Sequence, residues 1–138
     1  MNEHDMQSGI SYCTKAIEFN DTMDLAYFYR AGIYVAMISK RDANADYENY
    51  KAAIADYTKV LELDGTNAEA LFYRGGAHSE MGFLEPAIED YLASISINEN
   101  QPYVFNSLAV CYARTGSPGE AMKSINKDIE LDEEYANA

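Results

Sequence analysis

The sequence has no tryptophan, and its 138 residues include only 3 prolines, 2 cysteines and 10 lysines and arginines. Each scarcity excludes something. Cys13 and Cys111 have no second cysteine or histidine at ligand spacing, so they form neither a disulfide framework nor a zinc site. Both fall on apolar helical faces and read as small buried hydrophobes. The three prolines fall near predicted helix starts, which leaves long stretches free to be helical. The longest apolar run, residues 31–38, is far too short to cross a bilayer, and the opening MNEHDMQSG is not a signal peptide. With Met1 as the native start, a cytoplasmic location is expected. Against the few bases stand 23 acidic residues, for a net charge of −13. Such a chain repels phosphate backbones and anionic lipids, so neither nucleic acid nor a membrane surface is an expected partner. A protein or peptide with apolar and basic residues is easier to accommodate. The blander reading is that the charge only keeps the chain soluble.

What is plentiful is apolar surface, 48% of residues, together with 12 tyrosines. That is enough for a packed core. The apolar residues also repeat. AYFYRAGIYVAM (26–37) and ALFYRGGAHSEM (70–81) share Ala, Phe, Tyr, Arg, Gly and Met in register. AIADYTKVLELD (53–64), AIEDYLASISIN (87–98) and AMKSINKDIELD (121–132) follow one another at a 34-residue period, and YCTKAIEFND (12–21) repeats the end of that unit. Leu71, Gly75, His78 and Gly82 are spaced 4, 3, 4, and Leu84, Ala87, Ile88, Tyr91 and Ile95 continue the helical pattern. Thr66 with Glu69, and Ser117 with Glu120 around Pro118, read as capping boxes, and Gly82 and Gly116 as helix stops. The unit is therefore a helix, a short turn and a second helix.

These residues resemble the tetratricopeptide repeat family. The matching positions are Tyr27, Ala31, Tyr34, Ala53 and Tyr57 in the first unit, Leu71, Gly75, His78, Ala87 and Tyr91 in the second, and Phe105, Leu108, Ala109, Tyr112, Ala121 and Ile125 in the third. The family's usual tryptophan is replaced throughout, and its terminal proline is Gly65, Glu99 and Glu133 here. The resemblance implies an all-α fold of about seven helices, a right-handed superhelical stack of antiparallel pairs. It makes residues 1–138 one domain: an orphan second helix at 5–19, then repeats at 24–63, 68–97 and 102–131. Residues larger than alanine at Ala31, Gly75 or Ala109 would push the paired helices apart. The last helix, with Lys123, Asn126, Lys127 and Asp128, reads as a polar capping helix.

One stretch, DANADYENYKAA (42–53), begins like a calcium loop, with Asp42, Asn44, Asp46 and Glu48 alternating. The glycine needed at its sixth place is Tyr47 and the glutamate needed at its twelfth is Ala53, so no metal site is expected. Ten more residues separate Met37 from Ala53 than separate Met81 from Ala87, an insertion near 39–51. Tyr47, Tyr50, Ile54, Tyr57 and Leu61 form one helical stripe, so the insertion predicts a second helix that starts about ten residues early, about 15 Å longer. Asp42 or Asn44 would cap it, with Asp46 and Glu48 at the positive end of its dipole. Tyr47 and Tyr50 then pack on a lengthened first helix or offer an extra contact.

No catalytic motif, cofactor loop or nucleophile constellation is present, and a non-catalytic interaction scaffold without cofactor or metal is expected. His78 stands where a packing tyrosine is usual and reads as a core residue. The resemblance implies a concave groove lined by the first helix of each pair. Its residues would be Leu25, Phe28, Tyr29, Gly32 and Val35; Glu69, Phe72, Tyr73, Gly76, Ser79 and Glu80; and Tyr103, Asn106, Val110, Ala113 and Arg114. Aromatics there would anchor apolar side chains, and Glu69 and Glu80 would pair with Lys or Arg, unless the aromatics simply pack between helices. Some family members clamp a C-terminal carboxylate with Lys, Asn and Arg; the matching places are Phe28, Gly32, Tyr73, Tyr103 and Ser107, none a cation, so no such clamp is expected. A second possibility is self-association. Met6, Ile10, Cys13 and Ile17 form a stripe whose own first helix is missing; unless Tyr12, Phe19 and the next helix cover it, it is open to a homodimer, a neighbouring domain or the rest of a longer array.

Overall fold

The computed structural model describes residues 2–138. Among them are seven α-helices and no strand: α1 (Glu3–Phe19), α2 (Asp24–Ala36), α3 (Ala43–Leu63), α4 (Ala68–Glu80), α5 (Leu84–Ile97), α6 (Pro102–Arg114) and α7 (Pro118–Asn137). The chain folds as two compact units, residues 1–70 and 71–138, with the break inside the first turn of α4.

Each unit has its own core. In the first, Tyr27, Ala31, Ala53, Tyr57, Val60 and Ala70 are buried together, and Ile17, Phe28, Tyr34 and Leu61 pack around them. In the second, the buried set is Ala87, Tyr91, Val104, Leu108 and Cys111, with Phe72, Leu84, Ile88, Ile95 and Tyr112 around it. The small residues predicted at the helix crossings have the expected cause. A Cβ on Gly75 would stand 2.9 Å from Cε1 of Tyr91 and 3.3 Å from the Ala87 carbonyl oxygen. Ala31 fills the matching place in α2 and is fully buried.

The same two places in each unit carry an ion pair that closes the helix pair. Arg30 donates through Nε and Nη2 to the two carboxylate oxygens of Asp56 at 2.7 and 2.8 Å, and Arg74 does the same to Asp90 at 2.9 and 2.6 Å. Arg30 also donates to the Thr14 hydroxyl, which ties α1 to the pair. Both aspartates are almost completely buried. At the 34-residue register the third pair has Leu108 and Ser124 instead. Both partners have changed together, as they must: one charge left alone in that place would be buried without compensation.

The two glycine stops close as Schellman turns. Gly82 (φ +85°) and Gly116 (φ +77°) are left-handed; Phe83 N–H donates to the His78 carbonyl and Ser117 N–H to the Tyr112 carbonyl. The N-terminal caps differ from the sequence reading. Helix α4 is capped by Asn67, whose side chain accepts from Ala70 N–H, while Thr66 turns back to Asp64. Asn20 and Asn98 make the corresponding turns after α1 and α5. Ser117 precedes Pro118 but makes no side-chain cap bond. Helix α7 runs on to Asn137, past the predicted end at 131, because no glycine or proline follows Asp132 to stop it.

The insertion divides its residues between helix and turn. Helix α3 has 21 residues against 14 in α5, so its extra length is about 10 Å at 1.5 Å per residue. Asp42 caps it, accepting from Asn44 and Ala45 N–H. Asp46 has a different task from the predicted dipole role. Its buried carboxylate accepts from Ser39 and Lys40 N–H and holds the widened turn, in which Lys40 is left-handed at φ 59°. Backbone donors thus occupy Asp42 and Asp46, two of the four residues that alternate in this stretch, while Glu48 pairs with Lys51.

Gly75→Ala is expected to destabilise the protein by about 1–3 kcal/mol, because the methyl meets the Tyr91 ring. Gly32→Ala, where an added Cβ meets nothing within 4 Å, is expected to stabilise it by about 0.5–1 kcal/mol. Urea unfolding of the two variants decides the signs. By the same measurement Arg74→Leu should cost about 3 kcal/mol, and adding Asp90→Ser should restore about half of it, as the third pair's composition implies.

Candidate functional site

The residues placed on the first-helix faces fall into two groups. Phe28 and Phe72 are half-buried. Phe28 packs edge-on against Tyr57 at 5.8 Å between centroids, and Phe72 lies 5.9 Å from Tyr91 and 4.9 Å from Tyr103. They are packing residues as much as surface ones. Ser79 is buried: its hydroxyl lies 3.5 Å from Cys111 Sγ, and it accepts from Arg114. The remaining aromatics are open, Tyr29 at 61%, Tyr73 at 45% and Tyr103 at 49% exposure.

In the first unit the open face of α2 is Leu25, Tyr29, Gly32 and Val35, one stripe at helical spacing, with the Phe28 ring edge beside Tyr29. Glu69, in the first turn of α4, is exposed. In the second unit, Tyr73, Phe72 and Tyr103 form an aromatic patch, with centroids of 5.3 Å for Phe72–Tyr73. Asn106, Val110, Ala113 and Arg114 continue it along α6, and Gly76 and Glu80 along α4. Arg114 joins the two helices by donating to the carbonyl and hydroxyl of Ser79 at 3.1 and 3.2 Å. The patch is apolar at its centre and carries one carboxylate and one guanidinium at its end.

The other sequence candidates lie apart. Tyr47 is half-exposed with Lys51 Nζ 5.4 Å above its ring, and Tyr50 is half-buried. Near them the insertion forms a cleft of about 440 Å³ in the first unit, lined by Met6, Met37, Ile38, Arg41, Ala45 and Asn49 among others. Met6, Ile10, Cys13 and Ile17 are half-buried rather than open, with Ile17 packed on the first core, and α1 instead exposes Tyr12 and Phe19. Burial pushes the Cys13 thiol up, and the nearby Arg30 charge works against it.

His78 stays inside α4's packing. Its Nε2 lies 3.9 Å from Asp90 Oδ2, and its buried Nδ1 has no hydrogen-bond partner. Desolvation holds its pKa below the ordinary 6.5; Asp90 raises it and Arg74 lowers it again. The imidazole is therefore neutral at pH 7, and Asp90 keeps Arg74 as its ionic partner. Tyr91, beneath Gly75, has its phenol pushed up to about 12 by burial.

No protein-family model matches the chain, and no curated protein matches it by sequence. Solved structures do. "Crystal structure of MamA protein" superposes with a TM-score of 0.82 at 23% identity, covering 96% of this chain and 67% of that one. "MamA RS-1 ArsTM double mutant" gives 0.85 at 16% identity, covering 97% and 70%. "MamA 41-end from Desulfovibrio magneticus RS-1" gives 0.81 at 17%, covering 95% and 68%. The fold is a tetratricopeptide-like helical-repeat solenoid.

His78 makes a signed prediction. Its depressed native pKa gives stability that is present above the unfolded-state value and lost as pH falls through the native one. Acidifying from about pH 7 to about pH 5 should therefore destabilise the wild type more than His78→Tyr, which has no imidazole to charge. Thermal melts of both proteins across that range test it, and parallel curves would refute it.

Proposed function

We propose that the protein is a non-catalytic interaction scaffold that holds a peptide or an extended partner segment on the exposed faces of its first helices. The observation that carries this reading is the sorting of aromatics on those helices. The phenylalanines are taken up by the core, while Tyr29, Tyr73 and Tyr103 stand open beside them. A tyrosine ring supported from behind by a fixed phenylalanine offers a large contact area at little entropic cost, as hot-spot residues do. Gly32 and Gly76 sit on the same faces, where an added side chain would meet nothing nearer than 3.8 Å. Neither is needed for helix packing, so each leaves room for a partner's backbone.

The partner's chemistry follows from the surroundings. The faces are apolar at the centre and bordered by Glu69 and Glu80, on a chain of net charge −13. A segment with alternating apolar and basic side chains fits them, and an anionic one does not. The helices use their own buried charges structurally, as Arg30–Asp56 and Arg74–Asp90, so these do not serve the surface.

Peptides selected from a random library on the wild-type protein should be enriched in apolar and basic residues. Tyr29→Ser/Tyr73→Ser should weaken the selected peptides by about tenfold or more while leaving the melting curve nearly unchanged. Titration calorimetry reads the affinity. Unchanged affinity in the double variant would remove the tyrosine faces from the binding site.

A further inference from the structure

The second helix of each pair repeats one apolar stripe. Ile10, Cys13 and Ile17 of α1 correspond in register to Ile88, Tyr91 and Ile95 of α5, and to Met122, Ile125 and Ile129 of α7. On α1 the stripe is covered by α2: Ile17 joins the core of Tyr27 and Ala31, and a Cβ on Gly9 would stand 2.8 Å from Ile33 Cδ1. On α5 it is covered by α6, where Ile88, Tyr91 and Ile95 share a core with Val104, Leu108 and Cys111. On α7 none of the described helices covers it. Met122 is 56%, Ile125 38% and Ile129 49% exposed, so this helix is not the polar cap that its lysines implied.

The α5–α6 contact also shows how such a cover is anchored. Gln101, just ahead of α6 and buried, donates its side-chain amide to the Ser94 carbonyl at 3.1 Å and the Asn98 carbonyl at 2.6 Å. At the same register α7 carries Asp128 and Asp132. Desolvation and then the neighbouring Asp132 charge push the Asp128 carboxyl up. The two lysines of α7 are engaged elsewhere, Lys123 with Glu120 and Lys127 with Glu130. The end of α7 has no base in its last turn, and Glu133 and Glu134 add to a negative charge that opposes the helix's own dipole.

We propose that this face of α7 docks an amphipathic helix of another protein, apolar at i, i+4 and i+7 and carrying a lysine or arginine at i−3. The apolar places are those of Val104, Leu108 and Cys111 in α6, and the cation takes the place of Gln101, where it meets Asp128 and Asp132. No first helix of a second copy of this chain meets that description. Its first helices carry Met23, Asn67 and Gln101 at i−3, none a cation, and two chains of net charge −13 repel. The site shares no residue with the tyrosine faces.

The probe is a fluorescein-labelled peptide with the sequence of residues 101–114 and Cys111→Ala, made once with Gln101→Arg and once with Gln101→Glu. By anisotropy the arginine peptide should bind the wild-type protein about tenfold more tightly than the glutamate peptide. Asp128→Asn/Asp132→Asn should bring the two within about twofold of each other, and Ile125→Ser/Ile129→Ser should abolish binding of both. Ile125, Ile129 and Asp132 are exposed and Asp128 is half-buried, and unchanged helical circular dichroism confirms that the variants fold. No binding by either peptide, or a preference that survives Asp128→Asn/Asp132→Asn because the peptide displaces α6 instead, would overturn the proposal. So would a dimer of the protein alone, seen by light scattering and dissolved by Ile125→Ser/Ile129→Ser, since the occupant would then be a second copy.

Discussion

The contact on which the second unit rests is the Tyr91 ring against the bare backbone of Gly75. It sets how near α4 and α5 approach, and no side chain on Gly75 could share the space. A glycine in mid-helix costs about 1 kcal/mol against alanine, so the position is held by packing and not by helix propensity. Once that approach is fixed, the opposite flank of the first helix has no packing left to do. It is there that Tyr73, Gly76 and Glu80 stand. The first unit follows the same logic with Ala31 buried, and Leu25, Tyr29 and Gly32 facing out.

Charge is arranged around this packing in two layers. The buried layer is small and paired: two arginines, each held in a two-bond fork by an aspartate, exchanged in the third pair for leucine and serine. The outer layer is large, negative and largely without counter-charge. Exposed ion pairs such as Lys51–Glu48 and Lys59–Glu62 contribute little individually. In the reading proposed above, the excess negative charge favours basic segments on the tyrosine faces and at the acidic end of α7.

The fold was legible because helices of a repeat announce themselves twice, once by their apolar spacing and again by their register. Seven helices and the left-handed glycines at Gly82 and Gly116 could be read directly. Side-chain capping was less legible. Thr66 and Asn67 are both good caps, and the choice went to Asn67 because Asp64 had already engaged Thr66. Asp46 looked like a dipole partner, but its carboxylate reaches back across the inserted turn, a tertiary contact that local pattern does not encode. The Arg–Asp pairs were visible as a recurring YRxG and a recurring Asp-Tyr; only three dimensions bring the two together. Sequence left the stripe on α1 open unless the next helix covered it, since half a unit stands there. In the structure α2 covers that stripe, and the same stripe on α7, which none of the described helices covers, is the open one.

The central claim is that packing occupies one flank of each first helix and leaves the other for a partner. Chemical-shift mapping by NMR, with a library-selected peptide titrated into isotope-labelled protein, tests it most directly. The account predicts that the largest shifts fall on Leu25, Tyr29 and Gly32 and on Tyr73, Gly76 and Tyr103. Shifts concentrated instead on the second helices, around Tyr57 and Tyr91 or along α3 and α5, would contradict it.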